Sequence, residues 1–316
     1  MTGNIGEQIL HFWYGLGGNG KSTIMDAWCH PLGDYASTVP IETFLDQGVK
    51  RRGDQASPDL ARLGGVRLLR TSEPERGGKI ASALIKLVTG GEPFPVRFLN
   101  RGFFDLLPIF KMTIQGNHRL EIPDTDNGIW RRMKLIDWPE NINAEPPNAD
   151  GSPRKDENLA EKLKAEASGI FNRLVDGVLD WLENGLVEPD SVREATMEYR
   201  EESDPLGRFL KLCTRMAPDG RVQSSKLHEL FVAWCKAAGE KEWTQKGFSK
   251  AMADKGFKKK ASDGMQWLGI EAVREVSDFV DRDGNPLPFS VEDAPDQARD
   301  PPPPRTPPRW EEDDMP

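Results

Sequence analysis

The chain has 316 residues, 29 % of them charged and 37 % hydrophobic, with a formal net charge of −9; this length allows about two domains and a tail. No stretch is long and apolar enough to cross a bilayer, and Met1 to Gln8 has neither the basic start nor the apolar centre of a signal peptide, so no membrane partner is expected and a cytoplasmic location is. Cys29, Cys213 and Cys235 are far apart and the four histidines are scattered, which argues against a disulfide framework and an ordinary zinc site.

The first expected element is a strand over Leu10 to Tyr14. It runs into Gly15-Leu16-Gly17-Gly18-Asn19-Gly20-Lys21-Ser22-Thr23, and a helix-like stretch follows from Ser22 to Trp28. Glycines at this spacing let successive backbone N–H groups face one anion, and the helix adds its positive N-terminal end. Lys21 is placed to reach the β- and γ-phosphates of a nucleoside triphosphate and Ser22 to hold Mg²⁺. The nucleotide-binding set is therefore Gly15, Gly17, Gly18, Asn19, Gly20, Lys21, Ser22 and Thr23.

Further strands are expected over Val66–Leu69, 111–115 and 133–138, the spacing of an α/β core with a mostly parallel sheet. Glu73, just after the second run, is a candidate for the carboxylate that holds the metal and polarises the attacking water; a surface ion pair is the competing reading. Asn117 ends the third run and reads locally as a turn residue, with contact to the γ-phosphate as the alternative. Arg131 and Arg132 precede the fourth run, and either can stabilise phosphoryl transfer on a neighbouring subunit.

A loop rich in Pro, Asn and Asp follows over 139–156. Leu159, Leu163, Ile170, Leu174, Val178 and Leu182 then recur at helical spacing up to Gly185, a C-cap, in one long amphipathic helix or two. Residues 205 to 270 read as three helices, Leu206 to Met216, Ser225 to Ala238 and Thr244 to Lys255. Two strand-like segments close the unit around an Asp263-Gly264 turn, a pattern of helices and a wing. The whole is α/β, with a P-loop ATPase core over 1–140, a linker and helical segment over 141–200, a small winged-helix domain over 201–275, and a Pro-rich acidic tail over 276–316, disordered from Asp281 on.

Charge is unevenly spread. The tail from Asp281 carries −6, whereas Lys50 to Lys134 carries +7 and Arg221 to Lys260 carries +6. Two basic zones on separate segments point to a phosphate backbone as partner. Candidate DNA contacts are Lys86, Arg97 and Arg101 in the first zone and Lys246, Lys250, Lys258, Lys259 and Lys260 in the second. Phe94, Phe98, Phe103 and Phe104 are available for stacking on bases but read more simply as core.

The phosphate loop, Arg67-Leu68-Leu69 leading to Ser72-Glu73-Pro74, Ile85-Lys86-Leu87-Val88-Thr89-Gly90-Gly91, Arg97, Phe110-Lys111, Gly116-Asn117-His118 and Gly128-Ile129-Trp130-Arg131-Arg132 occur in an order that resembles the superfamily 3 helicase domain of phage and plasmid primase-helicases, shared by the poxvirus type. The likeness covers about residues 9 to 270. It implies an AAA+-like ATPase that uses ATP and Mg²⁺, assembles as a homo-oligomeric ring, usually a hexamer, and moves 3′ to 5′ on single-stranded DNA in a bacterial host. It assigns Glu73 as the Walker B acid, Asn117 as the sensor, Lys86 and Thr89 to Arg101 as a motif and hairpin facing DNA, and Arg131 or Arg132, with preference for Arg132, as the arginine finger. Relatives of that kind carry two adjacent acids where this chain has Ser72-Glu73, a helical segment for which the residues before Gly15 leave no room, and primase motifs absent here, so a separate primase or replication protein is the expected partner. The competing reading is an ATP-switched initiator or regulator that docks on duplex DNA without unwinding it; a small-molecule kinase accounts for neither the basic zones nor the paired arginines.

Overall fold

The computed structural model describes residues 2–48, 56–122, 127–142, 155–262 and 264–288. The chain divides into two compact units, one ending at Ser203 and one beginning at Asp204. Most of the expected loop (143–154), Asp126, the turn residue Asp263 and the tail from 289 lie outside the described residues.

In the first unit β1 (Leu10–Tyr14) leads to α1 (Lys21–Leu32), β2 (Ala36–Val39), a short α2 (Pro58–Ala61) and β3 (Leu68–Thr71). Then come α3 (Ser82–Val88), the hairpin strands β4 (Phe94–Val96) and β5 (Phe104–Leu106), β6 (Lys111–Gly116), α4 (Asn127–Trp130) and β7 (Met133–Asp137). Three helices close the unit, α5 (Leu159–Ala165), α6 (Ala167–Asn184) and α7 (Asp190–Glu202). Five strands form one sheet in the order β2-β3-β6-β1-β7, and every pairing is parallel.

Parallel strands need cover on both faces, and β1 shows how the sequence provides it. Leu10 and Phe12 turn to one side, into a cluster with Leu69, Met112 and Leu135. Trp13 turns to the other, against Met25 and Leu32 of α1, where its ring meets that of Trp28 edge-on at 5.4 Å and Leu174 of α6 packs alongside. Each such side chain contributes about 2 kcal/mol of burial free energy.

The register aligns Tyr14 with Gly116 on one side and with Asp137 on the other. Because β6 lies between β1 and β3, the turn after β6 falls between the phosphate loop and the segment after β3. That order brings Asn117 within reach of both Lys21 and Glu73. In open α/β sheets ligands bind at the carboxyl ends of the strands.

Some expectations shift. Pairing in β3 starts at Leu68 rather than Val66, and the long amphipathic stretch is two helices that meet at Glu166, the second ending at Gly185 with φ 70°. Neither β2 nor α7 was expected, since Ala-Ser-Thr-Val is too short and mixed to show a period.

The second unit runs α8 (Pro205–Cys213), β8 (Thr214–Gln223), α9 (Ser224–Ala238), α10 (Gln245–Asp254), β9 (Lys259–Ser262) and β10 (Gly264–Ala272). Its three-stranded sheet, β8-β10-β9, is antiparallel. Phe209, Phe231 and Phe248, with ring centroids 4.9 to 6.2 Å apart, anchor a core of their own. The Asp204 side chain caps α8 by accepting from Gly207 N at 2.9 Å, and Thr244 caps α10 in the same way.

Two boundaries need correction. The helix expected to reach Met216 stops at Cys213, because Pro218-Asp219-Gly220 cannot continue it and β10 offers a partner that pairs Trp267 with Val222 and Ile270 with Met216. Order also continues past 276: Phe279 is 1 % exposed within the second unit's core, and its carbonyl accepts from Leu287 N. One aromatic ring fixes a segment whose acidic composition alone reads as solvated.

Candidate functional site

The phosphate loop takes the backbone path that its glycines permit. Gly17, Gly18 and Gly20 have φ of 96°, 64° and 85°, a region costly for side chains with a Cβ. Gly15 is needed for room: a Cβ there would lie 2.3 Å from Asn19 Nδ2 and 2.4 Å from the Trp138 carbonyl. Asn19 is buried, and its amide donates to that carbonyl at 3.0 Å, which ties the loop to the end of β7.

Lys21, 6 % exposed, opens α1. Its Nζ donates to the Gly15 carbonyl at 2.7 Å, to Asn19 Oδ1 at 2.9 Å and to Asn117 Oδ1 at 3.3 Å. All three acceptors are neutral oxygens. Burial lowers the Lys21 pKa, and the charge of Glu73 opposes that shift. The ammonium is therefore positioned but not neutralised, and an incoming phosphate gains the full attraction of a partly desolvated cation. Gln115, not singled out from sequence, donates from Nε2 to the Lys21 carbonyl at 3.0 Å and steadies the helix start.

Glu73 is exposed, and its Oε1 accepts from Asn117 N at 3.0 Å. The neighbouring Ser72 is turned away, since its hydroxyl accepts from Ile41 N at 2.9 Å. The contact of this segment with the Asn117 turn is thus made by Glu73. Ser22 at the first turn of α1 is exposed as well. A hydroxyl and a carboxylate with a second open oxygen suit a hard divalent cation such as Mg²⁺.

The paired arginines part company. Arg132 is 6 % exposed; its guanidinium donates to Thr89 Oγ1 at 3.1 Å, to the Gly128 carbonyl at 2.7 Å and to Gln8 Oε1 at 3.0 Å. Its donors are used inside the first unit, which weighs against the preference for Arg132 as the finger. Arg131 is exposed, with one bond to the same Gln8 oxygen at 3.2 Å. Both precede β7, whose first residue, Met133, pairs with Leu10 at the amino end of β1. The five-residue strands hold them about 16 Å from the edge that carries Lys21.

The DNA candidates fall in two places. In the first unit Lys86 is half-buried on α3, and Arg97 and Arg101 lie on the loop of the β4–β5 hairpin. Phe94 is buried there as expected for core, but Phe98, Phe103 and Phe104 are 41 %, 52 % and 39 % exposed, contrary to the core reading. Phe98 stacks on Phe104 at 6.0 Å, and the Arg97 guanidinium lies 5.2 Å over the Phe103 ring. In the second unit Lys246 and Lys250 project from one face of α10, Lys258 and Lys260 are exposed, and Lys259 Nζ lies 4.4 Å over Trp267 while donating to Ser249 Oγ at 2.8 Å.

Beside the phosphate loop opens a cleft of about 620 Å³ lined in part by Tyr14, Asn117 and Arg119. Arg119 pairs with Glu202 of α7 and lies over the rings of Tyr14 and Tyr199, at 5.1 and 5.5 Å. The buried Tyr199 hydroxyl donates to the Leu120 carbonyl. Helix α7 thus clamps the turn that carries Asn117. A chain-order reading cannot find this, because the partners lie about eighty positions apart.

No family model matches the chain. Three similar proteins carry the name "Putative helicase": L207/L206 of Acanthamoeba polyphaga mimivirus, 27 % identical over 66 % of this chain and 23 % of that protein; 022R of Frog virus 3 (isolate Goorha), 27 % identical over 75 % and 25 %; and V13 of Sputnik virophage, 26 % identical over 60 % and 25 %. The chain spans about a quarter of the length of these relatives. A bacterial host finds no support among them, since two bear the names of eukaryotic hosts. Among solved structures, the C-terminal region of NrS-1 (305–718) is similar at 9 % identity with a TM-score of 0.43, over 84 % of this chain and 67 % of that one. Among the described residues no helix is long and apolar enough to cross a membrane.

Proposed function

We propose that the chain is the ATP-driven motor part of a DNA helicase of the superfamily 3, AAA+-like kind, working in replication of a virus or related mobile element. The observation that carries this reading is the Lys21–Asn117–Glu73 chain of contacts, built from the carboxyl ends of three adjacent parallel strands. The likeness to viral proteins named as helicases supports it.

On this reading Lys21 exchanges its three neutral oxygen acceptors for the β- and γ-phosphate oxygens of ATP. Ser22 and Glu73 would hold Mg²⁺, which when bound would offset charge on the phosphates. Glu73 orients the attacking water and accepts its proton, while the Asn117 amide, released by Lys21 when phosphate arrives and held by Glu73 at its backbone, senses the γ-phosphate. Arg131 has no route to Lys21 of its own subunit, so it serves the site of a neighbour in a homo-oligomeric ring, with six subunits as the expected count. Single-stranded DNA contacts the hairpin through Lys86, Arg97, Arg101 and the exposed aromatics. The second unit is read as a winged helix that adds duplex contacts through Lys246, Lys250 and Lys258 to Lys260, and a separate primase or replication protein completes the machinery.

ATP turnover measured with and without single-stranded DNA tests the motor. Stimulation by single strands is expected. Turnover indifferent to DNA, with retention of duplex alone, favours the initiator or regulator instead.

A further inference from the structure

At the amino ends of β1 and β7 a single side chain joins three segments of the first unit. The half-buried Gln8 accepts at Oε1 from the Arg131 guanidinium at 3.2 Å and from the Arg132 guanidinium at 3.0 Å. Its Nε2 donates to the Gly90 carbonyl at 3.1 Å. Two donors on one side and an acceptor on the other fix which way the amide points. Gly90 lies between α3, which carries Lys86, and the β4–β5 hairpin, which carries Arg97 and Arg101. Arg132 binds the same root of the hairpin directly, through Thr89 Oγ1 at 3.1 Å.

The backbone of Gln8 has φ 55°, a left-handed conformation unfavourable for a residue with a Cβ. Asn100 is the other described residue besides glycines in this region, and asparagine visits it readily. A glycine would make the turn at position 8 without strain, so glutamine is there for its side chain. A primary amide accepts from a cation without cancelling its charge and also donates to a carbonyl. A carboxylate cancels the charge and cannot donate. A guanidinium has several N–H donors, so Arg131 can keep its bond to Gln8 while it meets a phosphate.

We propose that Gln8 is a positioning residue that holds Arg131 for the neighbour's nucleotide and ties it to the root of the hairpin, so that a strand gripped by the hairpin sets the rate at the next subunit's site. The proposal rests on the motor reading, which gives Arg131 and the hairpin their tasks. A shift of the hairpin on DNA moves Gly90; Gln8 follows through one hydrogen bond and Arg131 through the next. Gln8 touches no phosphate and acts through Arg131.

The test uses the full chain and follows ATP turnover with and without a single-stranded oligonucleotide, together with anisotropy of the labelled strand and the thermal midpoint. Gln8→Gly removes the amide and relieves the backbone, so the fold is expected to survive. Gln8→Met keeps the bulk and decides alone if Gln8→Gly unfolds. Either variant is expected to lower kcat about tenfold, the worth of one hydrogen bond to a charged group. KM for ATP should stay within about twofold, since the hold on Arg131 matters in the transition state. Stimulation by single strands should nearly vanish while the affinity for them is retained. In an Arg131→Ala background the same substitution is expected to change turnover no further, because its effect runs through that arginine. Full stimulation in the variants overturns the proposal. So does an additive loss in the Arg131→Ala background, which makes Gln8 a brace of the fold. A wild type whose turnover ignores single strands sinks the motor reading and this proposal with it; a stimulated wild type with equally stimulated variants sinks this proposal alone.

Discussion

The phosphate-loop edge of the first unit and the α9–α10 cleft of the second both carry lysines, but they hold them differently. Lys21 is enclosed by three neutral oxygens at 2.7 to 3.3 Å, on a loop tied down by Asn19. Lys246 is exposed at the start of α10. The first arrangement is preorganised, so its cation costs little further ordering when phosphate arrives. The second is open to solvent, so its cation is screened and must be ordered by whatever partner arrives.

The largest effect that sharpens this contrast is at Lys21. Lys21→Ala should lower ATP turnover at least about a thousandfold, because Lys21 is the residue that binds the β/γ-phosphates directly from within the loop in this reading, with the fold retained by circular dichroism. Near-normal turnover sinks the site. Glu73→Gln should retain ATP binding and lose about 10² to 10⁴ in rate, the range of a general base. Equal loss of binding and rate gives Glu73 a structural role.

Adjacent arginines with opposite surroundings give the next test. Arg132→Ala removes the buried guanidinium that donates to Thr89, Gly128 and Gln8 and should cost about 3 kcal/mol, read as a lower urea midpoint. Arg131→Ala should change stability by less than about 0.5 kcal/mol and yet cut turnover about a thousandfold. Mixing it with Lys21→Ala should restore part of the activity, since each lesion lies on a different side of a subunit boundary. Absence of rescue at every ratio removes the ring, while the nucleotide site stands.

Burial on β1 adds a pH dependence to the first unit. His11 is pushed down from 6.5 to about 4 by desolvation, with Lys111 and Lys134 adding repulsion. Between those values the unfolded chain takes up a proton that the folded chain refuses, so stability is complete above pH 6.5 and is lost as pH falls toward 4, by about 3 kcal/mol at most. His11→Asn should flatten that part of the curve in urea titrations at pH 7 and pH 5. An unchanged slope means that the imidazole charges in the folded state.

Much of this was legible in the sequence where local chemistry decides the outcome. The loop from Gly15 to Thr23 carries its own geometry, and four of the five strands show as apolar runs because both faces of a parallel sheet are buried. Asn117 read locally as a turn residue; only the strand order, with β6 between β1 and β3, gives it contact with Lys21 and Glu73. Arg132 looked as available as Arg131, since burial is a tertiary property that adjacent identical residues do not reveal. The clamp of Tyr199 and Glu202 on the Asn117 turn belongs to a helix whose own pattern was too polar to stand out.

The smallest expected effect lies at the tip of the β4–β5 hairpin, a third way of presenting a cation. Arg101 is exposed there, beside an aromatic pair, Phe98 and Phe104, that is partly open to solvent. Stacking on a base carries no charge, whereas a phosphate contact releases counterions, so the two contributions separate in a salt series. Phe98→Ala should weaken single-stranded DNA about fivefold with no change in salt slope, the low end of base–aromatic stacking. Arg101→Gln should reduce the slope on single strands by about 0.7 and barely alter duplex binding. The reverse pattern is expected of Lys246→Gln in the second unit if that unit contacts duplex as proposed. If Phe98→Ala and Arg101→Gln bind single strands like the wild type, the hairpin is no DNA contact, and its exposed aromatics are better read as a surface buried against another protein.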